Sequence, residues 1–124
     1  MAMTLVDVLL EDGLYNRLDI TPEQLADFCQ RWSIVELALF GSILREDFNE
    51  GSDIDFLVVF DHRRRAQMSL IDLVTIEYEL EDWLGRKVDL IEKCSVIESH
   101  NWIRRQNILS TARIIYESGR ILFA

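Results

Sequence analysis

The 124-residue sequence holds a single proline, two cysteines and no apolar run approaching the eighteen or so residues of a membrane span. It has no Pro-, Gly- or Ser-rich linker, no internal repeat and no low-complexity stretch. Cys29 and Cys94 lie far apart and outside any CxxC or Cys/His cluster, which excludes a disulfide framework and a zinc site. Both read as small buried hydrophobes in a reducing compartment. The first eleven residues lack a basic stretch and meet acid at Asp7, unlike a secretory signal, so the expected location is the cytoplasm, with no membrane partner. Basic residues are scarce: 13 Lys and Arg face 22 Asp and Glu, a formal net charge of −9. A broad cationic face for a nucleic-acid backbone is therefore missing, and no direct sequence-specific nucleic-acid binding is expected. Nucleotide carried with a divalent cation stays open, because carboxylates bind the metal and the metal binds the phosphates. No GxxxxGK and no GxGxxG is present, which removes the P-loop and the dinucleotide fingerprint.

What is present is a 49% hydrophobic chain, enough for one compact domain over residues 1–124. Leu5 to Leu10 and Leu14 to Leu18 form apolar clusters that predict a short helix broken near Gly13. Thr21, Pro22 and Gln24 spell a helix start with a capping box, and Leu25, Phe28 and Trp32 share the following face. Ile34 to Phe40 and Ile54 to Phe60 are short runs of branched and aromatic residues and predict strands. Ser69 to Leu84 repeats apolar residues at helical spacing and stops at Gly85. Val88 to Ile91 predicts a third strand, and Val96 to Ser118 one or two helices burying Ile103, Ile108, Ala112, Ile115 and Tyr116 and closed by Gly119. The fold class is α/β (α+β), a small sheet flanked by helices.

The chemistry concentrates in Gly41 and Ser42, followed ten residues later by Asp53, Ile54 and Asp55. Strand alternation puts Asp53 and Asp55 on one face, about 7 Å apart along the strand. A carboxylate inside an apolar strand is costly unless it is paired, hydrogen-bonded or metal-bound. Two on one face can converge on a divalent ion, and Mg²⁺ suits them because it takes one or two carboxylates plus substrate phosphates. A glycine after a strand lets backbone approach a phosphate, and a serine opening a short helix offers hydroxyl and amide donors. Arg45, three residues on, would share that face on a helix. Taken singly, Gly41 and Ser42 are an ordinary strand-to-helix turn and Arg45 a solvated cation. Together, the four residues at these offsets should arise by chance in roughly one chain in a thousand of this length. Asp89, between Val88 and Leu90, is open between ligand and solvated strand residue.

The run from Phe40-Gly41-Ser42-Ile43-Leu44-Arg45-Glu46-Asp47-Phe48 to Gly51-Ser52-Asp53-Ile54-Asp55-Phe56-Leu57-Val58 resembles the signature of minimal nucleotidyltransferases of the DNA polymerase beta superfamily. Leu84-Gly85-Arg86-Lys87-Val88-Asp89-Leu90-Ile91 is a second match, and Ile103-Arg104-Arg105 to Ile114-Ile115-Tyr116 a looser third. The resemblance implies a small mixed β-sheet backed by helices, the nucleotidyltransferase fold, and transfer of a nucleoside monophosphate to a hydroxyl with release of pyrophosphate. It implies that Asp53, Asp55 and Asp89 are catalytic and hold two Mg²⁺ ions, and that Gly41, Ser42 and Arg45 bind the nucleotide, ATP. Asp89 would help to deprotonate the attacking hydroxyl. Ile43 and Leu44 stand where many members carry small or basic residues, and are similar to the antitoxin branch. In that branch the antitoxin adenylylates a tyrosine of a HEPN-domain RNase toxin and binds it.

Three functions follow as expectations: an antitoxin that adenylylates its toxin, an antitoxin that acts by contact alone, and a transferase acting on a small molecule. The last is disfavoured because such enzymes add a helical acceptor domain. Assembly into a homo-oligomer stays open. Among the remaining features, His62 to Arg65 read as a basic loop, Glu77, Glu79, Glu81 and Asp82 as the wet face of a helix, and Trp32, Trp83 and Trp102 as core.

Overall fold

The computed structural model describes residues 20–44 and 51–118. The helix expected within Leu5 to Leu18, together with Arg45 and Gly119, lies outside the described residues. Helix α1 (Pro22–Arg31) starts as its sequence dictates. Thr21 Oγ1 accepts from Gln24 N at 3.2 Å, Gln24 Oε1 accepts from Thr21 N at 2.9 Å, and Pro22 occupies a first-turn position whose N–H would have no partner. The helix buries Leu25, Phe28 and Cys29. It delivers the chain through Ser33, whose φ of 58° turns it sharply, into β1 (Ile34–Phe40).

A single 3₁₀ turn (Gly41–Leu44) follows β1, and β2 (Ile54–Phe60) returns antiparallel to it. The short helix α2 (His62–Gln67) is capped by Asp61, and α3 (Leu70–Leu84) by a Ser69–Asp72 capping box. Gly85 ends α3 in the left-handed region, and β3 (Val88–Glu92) then lies parallel to β2. Parallel neighbours need a crossover of this length, which α2 and α3 supply. Helices α4 (Lys93–Ile97) and α5 (Trp102–Thr111) lead to β4 (Arg113–Glu117), antiparallel to β1. The result is a mixed four-stranded sheet of order β3-β2-β1-β4, as the α/β expectation required.

β2 is buried on both faces, so it carries apolar residues at nearly every position. One face, with Ile34, Leu39, Ile54, Phe56, Val58 and Val88, meets α1 and α3 through Leu25, Phe28, Ile76 and Leu80 in the larger core. The other face, with Ala38, Phe40 and Leu57, meets Val96 of α4 and Ile108 of α5 in a smaller one. No helix among the described residues is long and apolar enough to cross a membrane.

Several expectations are corrected. Residues 113–117 form strand β4 and not helix, because Ala112 leaves helical geometry (ψ 139°) and Ile114 and Ile115 then pair beside β1. Ile103 and Trp102 on α5 are exposed, at 57% and 64%, and Cys94 is exposed while Cys29 is fully buried. His62 to Arg65 form helix α2, where Arg65 donates to both carboxylate oxygens of Glu92, at 2.5 and 3.1 Å. Finally, the acids of α3 are not simply wetted. Glu77 Oε2 accepts from Leu90 N at 3.1 Å and Glu81 Oε2 from Val88 N at 3.0 Å, which satisfies the outer N–H groups of edge strand β3. Glu79 binds Arg31 and accepts from Trp32 Nε1 at 2.9 Å, joining α3 to α1.

Candidate active site

The register of β2 and β3 sets the site. Asp55 pairs directly with Asp89, and in a parallel pair such residues project from the same face, with strands about 4.8 Å apart. Asp53 precedes β2 by one residue and Asp55 by two, on the same face by alternation. That face is the one covered by the smaller core: Leu57 and Ile91, the next residues in the two strands on that face, belong to it. The three carboxylates therefore form a row at the open end of an otherwise apolar surface. Asp55 is half-buried, and Asp53 and Asp89 are exposed.

Strand β1 brings Gly41 to the same place. Phe40 pairs with Asp55, and Gly41 follows with φ 78°, a conformation that L side chains rarely adopt. A Cβ at residue 41 would run into Asp55 Oδ2 and come within 3.3 Å of its Cγ. Backbone and carboxylate thus touch across the space a side chain would need. This is the physical reason for glycine at the position. The turn that follows is pinned by Ile43, which is fully buried in the larger core, with half-buried Leu44 packed against that core. The Ile-Leu pair therefore anchors the turn and holds Gly41 and the backbone of Ser42 above Asp55. In the sequence this pair stands out only as a departure from a pattern; two adjacent apolar residues inside a polar turn are the signal that they are buried.

The approach to β2 is also held. Arg86 Nη1 donates to Ser52 O at 3.3 Å, and Ile54 N donates to Lys87 O at 2.9 Å, tying the segment before Asp53 to the turn before β3. The structure thus brings Gly41, Asp53, Asp55 and Asp89 together at one end of the sheet. Arg45, the remaining nucleotide-binding candidate, lies outside the described residues. The cluster of His62 to Arg65 lies past the opposite end of β2, about 20 Å along the strand from Asp53, and takes no part in the site.

Hard, all-oxygen donors placed in a row fit a divalent cation of the Mg²⁺ type. Two like charges on adjacent strands about 5 Å apart repel by about 0.8 kcal/mol even at the dielectric constant of water, which a cation between them would offset. Among the described residues no three His, Cys, Asp or Glu side chains are gathered closely enough to hold a metal by themselves. The donor set fits a cation whose remaining ligands are water and phosphate oxygens.

Comparison with known proteins gives the same architecture. The protein adenylyltransferase MntA of Thermococcus cleftensis is 37% identical over 67 residues, covering 54% of this chain and 64% of that protein, so the chain spans a little under two thirds of that relative's length. A solved structure described as a "putative minimal nucleotidyltransferase" is 27% identical, covers 89% of this chain and 94% of its own, and superposes with a TM-score of 0.57. A toxin–antitoxin crystal structure with AMP-PNP, 16% identical, has a TM-score of 0.59 over 81% of this chain and 76% of its own, and shares the fold. The family model of the nucleotidyltransferase domain matches residues 22–122, a span that contains both strands of the carboxylate row, the Gly41 turn and all the described helices. The chain belongs to the nucleotidyltransferase domain family.

Proposed function

We propose that the protein is an Mg²⁺-dependent nucleotidyltransferase that transfers AMP from ATP to a hydroxyl of a protein. In this reading the acceptor is a tyrosine of a HEPN-domain RNase toxin, and the chain acts in the cytoplasm as the antitoxin. The observation that carries the reading is the direct pairing of Asp55 with Asp89 on one sheet face, with Gly41 fitted against Asp55. The name of the MntA relative, a protein adenylyltransferase, supports protein as the acceptor class. The shared fold of the toxin–antitoxin structure with AMP-PNP supports ATP and a toxin partner.

In the proposed reaction the acceptor oxygen attacks the α-phosphorus of ATP, the bond from that phosphorus to the bridging oxygen breaks, and pyrophosphate leaves. The backbone of Gly41, which carries no Cβ, and of Ser42 would receive the triphosphate. Asp53, Asp55 and Asp89 would hold two Mg²⁺ ions, which when bound supply charge stabilisation and a lowered pKa for the attacking hydroxyl. Asp89, on the outer strand, would bind one ion and help to deprotonate the acceptor hydroxyl.

The test is incubation with Mg²⁺, α-labelled ATP and the candidate toxin. Label should appear on a toxin tyrosine, and Asp53→Asn combined with Asp55→Asn should abolish it. Full toxin neutralisation in cells by that double variant would instead establish an antitoxin acting by contact alone.

A further inference from the structure

A second feature lies on the same sheet face as the carboxylate row, on its outer flank. Ile91 follows Asp89 by two residues along β3, about 6.7 Å further on, and pairs with Leu57. Above it opens a cavity of about 70 Å³ between α4, α5 and β3, floored by Ile91 and Ile108 and walled by Ser95, Ser99, Arg104 and Arg105. A small anionic group such as a carboxylate fits that space.

The wall is rich in donors. Arg105 is fixed, its Nη1 donating to Ser99 O at 3.1 Å and Ile97 O at 3.4 Å, which leaves its other N–H groups for a further acceptor. Ser99 Oγ accepts from Asn101 N at 3.2 Å and so keeps its own hydrogen to donate. Arg104 uses only its backbone N–H, in the cap from Asn101 Oδ1 at 3.1 Å; among the described residues its guanidinium forms no ion pair or hydrogen bond. No acidic side chain lines the cavity. In a chain of net charge −9 this is a local reversal of sign.

We infer that this cavity is the acceptor-side anion subsite, which receives an Asp or Glu carboxylate close in sequence to the hydroxyl residue that is modified. The inference rests on the transfer reading above for the identity of the occupant. Its direction comes from the strand order: Gly41 follows β1, on one side of β2, and the cavity lies over Ile91 of β3, on the other side of β2 and two residues beyond Asp89. The Gly41 turn and the cavity therefore lie on opposite sides of β2, which separates the proposed nucleotide side from the proposed anion side. Arg104 is a specificity-determining residue for the acceptor and leaves ATP binding alone.

The test measures binding of two peptides, acetyl-Glu-Tyr-Glu-amide and acetyl-Gln-Tyr-Gln-amide, to the full chain and to Arg104→Gln, with ATP affinity measured in parallel. One exposed charge-assisted contact predicts that the wild type binds the acidic peptide about fivefold more tightly. In Arg104→Gln the preference should fall to within twofold, with ATP affinity unchanged, and Arg104→Glu should reverse it. No binding of the acidic peptide, no preference in the wild type, or a preference that survives in Arg104→Gln overturns the inference. A loss of ATP affinity in Arg104→Gln also overturns it, since the anion would then be a nucleotide phosphate. The transfer reading is tested apart from this, by labelling of the candidate toxin; an Arg104-dependent preference with no toxin labelling leaves the subsite standing and removes the transfer reading.

Discussion

Two glycines with nearly the same backbone make a matched experiment. Gly41 has φ 78° and Gly85 has φ 67°; a Cβ at 85 would meet nothing within 4 Å, whereas one at 41 would collide with Asp55 Oδ2. Alanine at either position takes the left-handed penalty of about 1–2 kcal/mol. For a domain of this length that corresponds to a fall in Tm of about 4–8 °C, small enough for both variants to stay folded. Gly85→Ala stops there and keeps wild-type transfer activity. In Gly41→Ala the Asp55 carboxyl must also move by about an ångström to clear the new methyl, and a displacement of that size in a reacting constellation costs about 10²-fold in rate. The assay pairs thermal melts with label transfer from ATP under identical conditions. If Gly41→Ala transferred label within threefold of Gly85→Ala, the contact between residue 41 and Asp55 would have no catalytic consequence and the argument would fail.

Other outcomes follow from burial and partners. Mg²⁺ with ATP at ten times the dissociation constant should stabilise the wild type by about 1.4 kcal/mol in a melt and leave Asp53→Asn/Asp55→Asn unmoved; equal shifts would place the ligand elsewhere. Burial pushes the Cys29 thiol from 9.0 up to about 12, while Cys94 is exposed, so a thiol reagent at pH 8 should titrate one cysteine in the native protein and two in urea. A raised pKa means that the folded state holds this proton longer than the unfolded chain. Its contribution is complete below pH 9 and is lost between pH 9 and about 12, at about 1.4 kcal/mol per pH unit. Burial also raises Tyr116, which acts with the same sign, so Cys29→Ala should reduce the alkaline loss in a pH series of urea melts without removing it. Glu81→Ala, which strips Val88 N of its acceptor, should cost about 1–2 kcal/mol in urea unfolding, and Glu81→Gln, which keeps an acceptor oxygen, distinctly less.

Most of the site could be read in the sequence because it is local. Gly41, Asp53 and Asp55 flank one hairpin-like return, and strand alternation alone aligns the two acids. The capping box at Thr21 is equally local, and the structure contains it as the sequence spells it; the one at Ser69 and Asp72 has the same local signal but was found only in the structure. Asp89 depended on a pairing 34 residues away (89 − 55), which no local rule supplies, and only the register decides its face. The strand at 113–117 looks helical in sequence because, one residue after α5, it continues the apolar spacing of that helix; what makes it a strand is its pairing beside β1. The acids at 77 and 81 looked like a solvated face for the same reason. Their partners are backbone N–H groups of a strand that comes later in the chain.

Those two glutamates restrict how a partner can approach. The outer edge of β3 is the flank of the sheet beside Asp89, and its outward N–H groups at Val88 and Leu90 are already spent on α3. An extended polypeptide cannot add itself there as a fifth strand, because it would have to displace two carboxylates from their donors. In the proposed reaction, a segment that carries the acceptor hydroxyl to Asp89 would present it on a loop or on a helix, from above the sheet and not alongside it.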